Sequence, residues 1–327
     1  MSENRPQEPA AGPSVWQQRI AGEWHGRPSL FDATGTWCGY EDIRRSSEYT
    51  DGATVYRMDG GLEGGGPLAG RFRLAAPFAF GVTDADDNRV YVGPDFHGSG
   101  QPYGTFVDAR YYGPGWQVGL NTWNHVLPDG DTQVYSSVLY QGWTVVGCFN
   151  GVYRRTTDHD ENPATREAVA AHLVAETRCG PVPWILPTKQ AGTFTGECEV
   201  WDAHQKRLGT VLVEDRLTPL DLLRTEHHLS WSGSGLDREA TVVRRRDGTR
   251  EFWEGPGAWG NAQAFGRANF PVWHFADGGA QRVVGREYAL DATPGMSAGG
   301  RLAVTYEVFD GQLLTAVLHG VLDWSAS

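Results

Sequence analysis

Two side chains that could exchange protons lie close together in the first half of the chain. Asp95 and His97 stand in a segment rich in glycine and aromatic residues, 91–104. Burial beside aromatic rings raises the pKa of a carboxyl group, so this pair could act as acid and base on an apolar substrate. In the alternative interpretation, Asp95 caps the turn after Pro94 and His97 is an exposed loop residue. Both interpretations fit the residue types.

Asp108 is a third candidate for acid–base chemistry. In a strand over residues 105–112, alternation places Phe106, Asp108, Arg110 and Tyr112 on one face. An acid, a base and two rings suit a polar-lined cavity, whereas an exposed outer face would account for them equally well.

The candidate ligand-binding residues surround these three. Aromatic rings bury large apolar areas, so we expect a cluster of them to form the wall of a cavity. Trp123 and His125 share a strand face, although a histidine beside a tryptophan is more often structural than a ligand. The predicted wall of a site for one apolar or aromatic molecule consists of Tyr91, Tyr103, Tyr112, Trp116, Trp123 and His125.

The sequence lacks the common spacings for metal and nucleotide binding. HxH, HExxH and paired Cys/His motifs are absent, as is the phosphate-binding GxxxxGK loop. GxGxxG occurs once, at Gly255, Gly257 and Gly260, but no helix is predicted after it, as dinucleotide binding would need. His227 and His228 are adjacent, and neighbouring residues of a strand point to opposite faces, so the two cannot bind one metal ion together. We therefore predict no metal site and no cofactor.

The elements that must position these residues occur twice. Gly93, Pro94, Gly98, Gln101 and Gly104 have identical counterparts in a second copy, and we expect them to set turns there. Three pairs of segments match, at offsets of 170, 162 and 169 residues: 21–33 with 191–203, 91–104 with 253–266, and 149–153 with 318–322. The chain is therefore predicted to be two copies of one domain.

Composition and strand pattern predict that each copy is all-β. The chain has 13 Trp, 12 Tyr and 13 Phe, residues that favour strands. Short strands separated by tight turns, such as the hairpin at Asp310-Gly311, indicate antiparallel barrels or sandwiches. We predict strands over 71–80 and 105–112 among others.

One segment breaks the β pattern. Asn162 and Pro163 form a helix start, and a helix is predicted to run to residue 177 with Val169, Leu173 and Val174 on its packed face. The predicted boundaries are a disordered lead at 1–15, a first barrel at 16–160, a helix and Pro-rich connector at 161–187, and a second barrel at 188–327.

The start of each copy resembles a known family. Gly22-Glu23-Trp24-His25-Gly26 opens copy one, and the second copy keeps the spacing with Phe194 between Gly192 and Gly196. This pattern resembles the opening of lipocalin-like (calycin) barrels, in which a Trp of the first strand plugs the closed end. Two copies in series resemble double-calycin proteins, a group that includes hydroxyneurosporene-synthase-like proteins and related cyclases. The resemblance implies two tandem lipocalin-like antiparallel β-barrels with a substrate in a barrel mouth or between them.

Charge and cysteine usage narrow the partners and the compartment. The formal net charge is −12, from 40 acidic and 28 basic residues, so the basic faces that bind nucleic acid are not expected. No apolar run reaches the roughly 18 residues of a membrane span. The four cysteines lack CxxC spacing and no signal peptide precedes them. We therefore expect a soluble, cytoplasmic protein with reduced thiols.

Three functions remain compatible with these patterns. The first is a cyclase, isomerase or hydratase acting on an apolar polyene, terpenoid or aromatic metabolite in secondary metabolism, which needs a dry cavity and at most one acid–base pair. The second is a non-catalytic carrier or chromophore-binding protein that uses the same cavity. The third is a carbohydrate-binding module with exposed aromatic rings. Copy one is the predicted site, because Asp95 and His97 are replaced by Gly257 and Trp259 in copy two.

Overall fold

A computed structural model of the protein describes residues 12–50, 53–73, 77–85, 88–93, 96–156, 158–177, 190–276, 281–291 and 300–327. Most of them lie in β-strands, which form two closed antiparallel barrels in tandem. The candidate Asp95, most of the predicted lead and the Pro-rich connector lie outside the described residues. None of the described helices combines the length and the apolarity that a membrane span needs.

The first barrel is one sheet closed on itself. Its strands are β1 (Gly22–Gly26), β2 (Ser29–Asp32), β3 (Trp37–Thr50), β4 (Ala53–Gly64), β5 (Phe78–Ala85), β6 (Asn88–Gly93), β7 (Phe96–Tyr103), β8 (Phe106–Gly113), β9 (Val118–Val126), β10 (Thr132–Gln141) and β11 (Thr144–Thr156). Strands β1 and β2 both pair with β3 and β11, so they are two pieces of one strand broken at Arg27-Pro28.

The second barrel repeats this order with an unbroken first strand. Its strands are β12 (Gly192–Asp202), β13 (Arg207–Pro219), β14 (Arg224–Ser232), β15 (Arg238–Asp247), β16 (Arg250–Glu254), β17 (Ala258–Phe265), β18 (Ala268–Phe275), β19 (Gln281–Ala289), β20 (Arg301–Asp310) and β21 (Leu313–Ala326). Each strand pairs with the next, and β12 pairs with β21 to close the barrel.

The strand register confirms the predicted repeat. Trp24 lies opposite Arg45 on β3, and Phe194 lies opposite Asp215 on β13, at the same offset of 170 residues. Gly93 ends β6 and Gly255 directly follows β16, the corresponding strand of the second barrel. Two copies of one antiparallel barrel therefore stand in series.

Two local predictions were wrong. Gly104 lies in the turn after β7, with φ of +61°, as predicted, but Gly98 lies inside β7, where neighbouring backbones approach closely. A Cβ atom added to Gly98 would lie 2.0 Å from the Arg110 carbonyl oxygen. Residues 71–80 are not one strand either. A helix, α2 (Gly66–Arg71), ends at Arg71, and β5 begins only at Phe78.

The other two helices cover the first barrel. Helix α1 (Val15–Ile20) precedes β1 and begins with a capping box between Ser14 and Gln17. Helix α3 (Pro163–Thr177) lies between the barrels in sequence, and Asn162 Oδ1 accepts a hydrogen bond from the Thr165 backbone N–H at 3.1 Å, as the helix start predicted.

The buried face of α3 differs from the prediction at one position. Val169 and Leu173 are buried, but Val174 is 49% exposed, and Glu176 is buried instead. Residues 169, 173 and 176 follow the helical spacing of one face, whereas residue 174 lies beside that face. The prediction chose Val174 because it is apolar, although Glu176 has the helical position that faces the barrel.

The first-strand aromatics are buried as predicted. Trp24 is 1% exposed, and its indole N–H donates to the Ile20 carbonyl of α1 at 2.9 Å. The guanidinium of Arg155 lies 4.4 Å from the Trp24 ring centre and seals the same end. In the second barrel, Phe194 is 1% exposed and packs on Trp324, whose ring centre lies 4.9 Å away.

Replacing Trp24 with alanine should cost about 3–5 kcal/mol of unfolding free energy, because it leaves a cavity and removes one of the two donors to the Ile20 carbonyl, the other being the Ser47 hydroxyl. Chemical denaturation of both proteins measures the difference. Trp143→Ala is the matched control, since Trp143 is fully exposed and its loss should change stability by less than about 0.5 kcal/mol. A cost below about 1 kcal/mol for Trp24→Ala would mean that Trp24 does not hold the closed end together.

Candidate functional site

The two barrels differ in the size of their inward side chains. Three tryptophans of the second barrel correspond through the strand register to smaller residues of the first. Trp231, Trp253 and Trp273 lie where the first barrel has Gly60, Tyr91 and Tyr111. Since the two barrels have the same strand order, the first has less side-chain volume at these positions.

Inward side chains of the first barrel also keep accessible surface. Tyr111 and Tyr135 pack on the core of this barrel and yet are only partly buried. Their counterparts in the second barrel, Trp273 and Val304, are 2% and 0% exposed. Accessible surface on an inward-facing side chain requires space inside the barrel. At these positions the first barrel therefore buries its inward side chains less completely than the second.

Arg45 of β3 lies inside the first barrel. Its side chain is 9% exposed and donates a hydrogen bond to the side chain of Gln133. Its guanidinium carbon lies 4.9 Å from the centre of the Tyr153 ring. The Nε atom of Arg45 is buried without a hydrogen-bond partner, and within the described part of the chain no carboxylate pairs with it.

The surroundings of Arg45 are polar, and Arg155, another cation, lies close enough to repel it. Burial lowers the pKa of Arg45, and the phenol groups of Tyr153, Tyr56, Tyr111 and Tyr135 act in the opposite direction. Gln133 in turn donates to the side-chain oxygen of Asn124. A buried charge without a counter-ion costs several kcal/mol. The arrangement can therefore bind an anionic group, which would supply the missing negative charge.

A second polar group, Glu41, lies on the same inward face of β3. It is 5% exposed, and its Oε1 atom is buried with no hydrogen-bond partner among the described residues. Burial alone raises the pKa of Glu41 to about 8. At neutral pH this side chain is therefore a carboxylic acid with a proton to donate.

The interior of the second barrel is also polar, and several of its charged groups are paired. His227 Nε2 lies 2.5 Å from Asp215 Oδ1, and Arg244 bonds Glu251. Glu287 accepts hydrogen bonds from Asn269 at 3.1 Å and from the Tyr306 hydroxyl at 3.2 Å. Through these contacts, Asp215, Glu251 and Glu287 find partners inside the barrel, as buried charges require.

The register shows that the charge at the key position is inverted between the barrels. Arg45 and Asp215 both lie opposite the first-strand aromatic residue. Tyr56 and His227 occupy the next strand at corresponding positions. The second barrel supplies its own partner for Asp215, whereas the first supplies none for Arg45.

The end of the first barrel opposite α1 is covered by α2 and aromatic side chains. Phe72, directly after α2, is fully buried, and its ring centre lies 5.3 Å from Trp116 and 6.3 Å from Phe149. Arg71 fastens this cover, because its Nε donates to the Trp116 carbonyl at 2.9 Å. A ligand that enters at this end would have to displace α2 or the side chain of Phe72.

The structure separates the predicted ligand-binding residues. Tyr91 lies inside the first barrel, where its ring contacts Tyr111, and Trp116 lies at the covered end. Tyr112 is 46% exposed on the outer surface. His97 is exposed beside it, with ring centres 6.1 Å apart, so the solvated interpretation of His97 holds for its position.

The remaining predicted residues lie between the barrels. Tyr103 is 1% exposed and packs in a cluster that includes Val317 of the second barrel. Trp123 stacks on Phe270 with ring centres 5.5 Å apart, and the His125 ring lies 5.0 Å from that of His319. The face of β8 that carries Phe106 and Asp108 is thus an outer face covered by the second barrel, and the expectation that it lines a barrel cavity was wrong.

Asp108 belongs to a carboxyl pair across this interface. Burial raises its pKa, and the Arg110 guanidinium, 3.1 Å from Asp108 Oδ2, partly offsets this. Glu307 of β20 is 3% exposed, and burial together with the neighbouring Asp108 holds its pKa well above the ordinary value. Two carboxyl groups so close cannot both ionise readily, so the pair keeps a proton to a higher pH than an isolated carboxyl group does.

Contacts between the barrels are reciprocal. Gly104, with φ of +61°, lies against the Trp201 ring of the second barrel, and Gly266, with φ of +57°, lies against the Phe31 ring of the first. Gly104 and Gly266 are counterparts in the repeat, and so are Phe31 and Trp201. A side chain larger than hydrogen at either glycine would meet an aromatic ring from the opposite barrel.

Sequence analysis missed Arg45, Glu41, Tyr56, Tyr135 and Tyr153. The alternation of β3 could have identified the first two, because Glu41, Ile43, Arg45 and Ser47 occupy every second position. These inward residues are partly polar, so the strand does not show the usual alternation of apolar and polar residues. The alignment of the copies, which pairs position 45 with an acid at 215, could have marked this position.

These features define a class: a tandem antiparallel β-barrel protein whose two barrels differ in the size and charge of their inward side chains. No family model matches the sequence, and no curated protein matches it. The fold is similar to the crystal structure of a protein of unknown function from the DUF3598 family of Nostoc punctiforme. The TM-score is 0.54 at 11% identity, over 97% of this chain and 99% of that chain. At this identity the similarity concerns the fold alone.

Glu307→Gln should make stability less dependent on pH. Because the folded state raises the pKa of Glu307 above 4.5, its contribution is fully present below that pH and is lost as pH rises through the raised pKa. Each unit of the shift corresponds to about 1.4 kcal/mol. The variant should therefore melt above the wild type at pH 8 and close to it at pH 4.5.

Thermal unfolding at several pH values measures this difference. The exposed Glu254→Gln is the control, and it should follow the wild type throughout. An equal loss of stability by Glu307→Gln at every pH would show that the pair carries no shared proton.

Proposed function

We propose that the first barrel binds an apolar molecule that carries an acidic group, and that Arg45 contacts this group. The observation that carries the proposal is the buried, unpaired guanidinium of Arg45 in an interior that still has accessible surface. At the corresponding position of the second barrel, Asp215 is paired with His227, so the fold does not require an unpaired arginine there. A ligand anion would replace the missing carboxylate.

The other walls of the interior suit the apolar part of such a ligand. Beyond Arg45 toward the covered end lie Leu30, Leu139, Phe149 and Phe72, which form one buried apolar cluster. Binding pockets for small molecules typically combine apolar walls with a few placed polar groups. The acidic group would therefore lie deep in the barrel and the apolar part would point toward α2.

Binding without catalysis accounts for these features without the acid–base pair that a cyclase, isomerase or hydratase would need. The acid–base pair expected for an enzyme needs residues that converge on the ligand. His97 lies on the outer surface and Asp108 between the barrels. We therefore place a carrier or ligand-binding function first, with both barrels lipocalin-like and related in organisation to double-calycin proteins.

A carbohydrate-binding module has less support. Sugar stacking needs exposed rings on one surface, and among the described residues the exposed tryptophans are Trp143 and Trp259, one on each barrel. Nearly all other aromatic side chains are buried or half-buried.

Fluorescence titration with cis-parinaric acid, a polyene fatty acid, and with its methyl ester tests the proposal. The wild type should bind the acid more tightly than the ester. Arg45→Met should weaken binding of the acid by about tenfold or more, because a hydrogen bond to a charged group contributes about 1.5–3 kcal/mol. Binding of the ester should change little.

Arg44→Met is the matched control, since Arg44 is the next residue on β3 and points outward, where it pairs with Asp160 at 3.0 Å. It should leave both affinities unchanged. Equal affinity for acid and ester, or no binding of either, would contradict the proposal.

The ligand-free stability of Arg45→Met provides an independent check. Replacing a buried, unpaired charge by an apolar side chain of similar length should raise the free energy of unfolding by about 1–3 kcal/mol. Urea denaturation without ligand measures it. A destabilised Arg45→Met would show that Arg45 already has a sufficient partner in the protein.

A further inference from the structure

Glu41 faces the same interior as Arg45 but at a different depth. The two residues are separated by Ile43 on the inward face of β3, so their Cα atoms lie about 13 Å apart along the strand. Glu41 pairs with Leu62 of β4, and its backbone N–H donates to the Pro28 carbonyl at 2.9 Å. Arg45 pairs with Met58, nearer the end that α1 closes.

The groups that face Glu41 leave it neutral. Tyr153 of β11 and Tyr135 of β10 are its titratable neighbours across the interior, and Arg45 is the charged residue on the same inward face of β3. None of these lowers the pKa of Glu41, which burial raises to about 8. A protonated carboxyl group is a hydrogen-bond donor, and its Oε1 has no partner among the described side chains.

The second barrel shows that the fold does not need this carboxyl group. The position that corresponds to Glu41 is Val211, two residues before Val213 just as Glu41 is two residues before Ile43. Val211 is 0% exposed and belongs to the core of its barrel. A barrel of this design therefore closes around an apolar residue at this level.

We propose that Glu41 is a second polar contact for the ligand of the first barrel and donates a hydrogen bond to an oxygen within the ligand's apolar part. This inference rests on the proposed function. It narrows the ligand to an apolar acid that carries a carbonyl or hydroxyl group midway along its length. Arg45 would hold the acidic end, and Glu41 the internal oxygen.

The contact makes binding depend on pH. The ligand contacts the protonated form of Glu41, so affinity for an oxygenated acid should fall as pH rises through about 8, where Glu41 loses the proton. An apolar acid without the internal oxygen has no such hydrogen bond to lose. Its affinity should depend less on the state of Glu41.

Displacement of cis-parinaric acid by 10-oxooctadecanoic acid and by octadecanoic acid tests the inference. At pH 6.5 the wild type should bind the keto acid about tenfold more tightly, and the preference should be smaller at pH 9. Glu41→Val, which introduces the residue of the second barrel, should reduce the preference to less than twofold at both pH values. Glu41→Gln keeps a donor, so it should retain the preference and lose the pH dependence.

The outward residue of the same strand provides the control. Glu48→Gln, at an exposed position, should behave as the wild type. If no protein binds cis-parinaric acid, the proposed function itself fails. If the acid binds but Glu41→Val keeps the full preference for the keto acid, the role of Glu41 is refuted while that of Arg45 stands.

Discussion

A closed ten-stranded barrel encloses a fixed width, and the side chains that point inward decide whether space remains. Three tryptophans pack inside the second barrel, Trp231, Trp253 and Trp273. The Tyr306 ring packs against Trp231 and Trp273. In the first barrel, the counterparts of the three tryptophans are a glycine and two tyrosines. The same backbone design therefore surrounds two different sets of inward side chains, with smaller residues at these three positions of the first barrel. Everything inferred about ligand binding depends on this difference in volume.

The charges inside the two barrels differ as well. In the second barrel, Asp215 is satisfied by His227. A buried charge without a counter-ion in the protein is left incomplete at a cost in stability. Arg45 is such a group, surrounded by phenol and amide groups that cannot neutralise it. Functional sites commonly reduce stability in this way.

The architecture was largely predictable from the sequence, because it depends on repeated patterns. The duplication, the antiparallel strands, the helix start at Asn162 and the buried Trp24 all follow from spacing and residue type. Glycine-rich segments were misread, since Gly98 is required by close strand approach rather than by a turn. A glycine pattern alone does not distinguish these two causes.

The site was less predictable, for a physical reason. Alternation assigns residues 105–112 to two faces but does not say which face is inside, and a neighbouring barrel can bury an outer face just as well. Phe106 and Asp108 are buried in this way. Conversely, inward residues of a strand are usually recognised because every second residue is apolar. A polar interior such as that around Glu41 and Arg45 lacks this pattern. Of the predicted residues, Tyr91 lies inside the first barrel and Trp116 lies at its covered end. Asp95 lies outside the described residues.

The reciprocal contacts of Gly104 with Trp201 and of Gly266 with Phe31 are those of a two-fold symmetric pair. In a homodimer, one gene encodes both subunits, so a substitution that hollows one barrel hollows the other as well. Covalent fusion of the two copies removes that coupling. Each half can then change alone: one can become a rigid support while the other gives up packing for binding. The symmetry survives at the interface, where both halves must still fit each other, and has been lost in the interiors, where they need not.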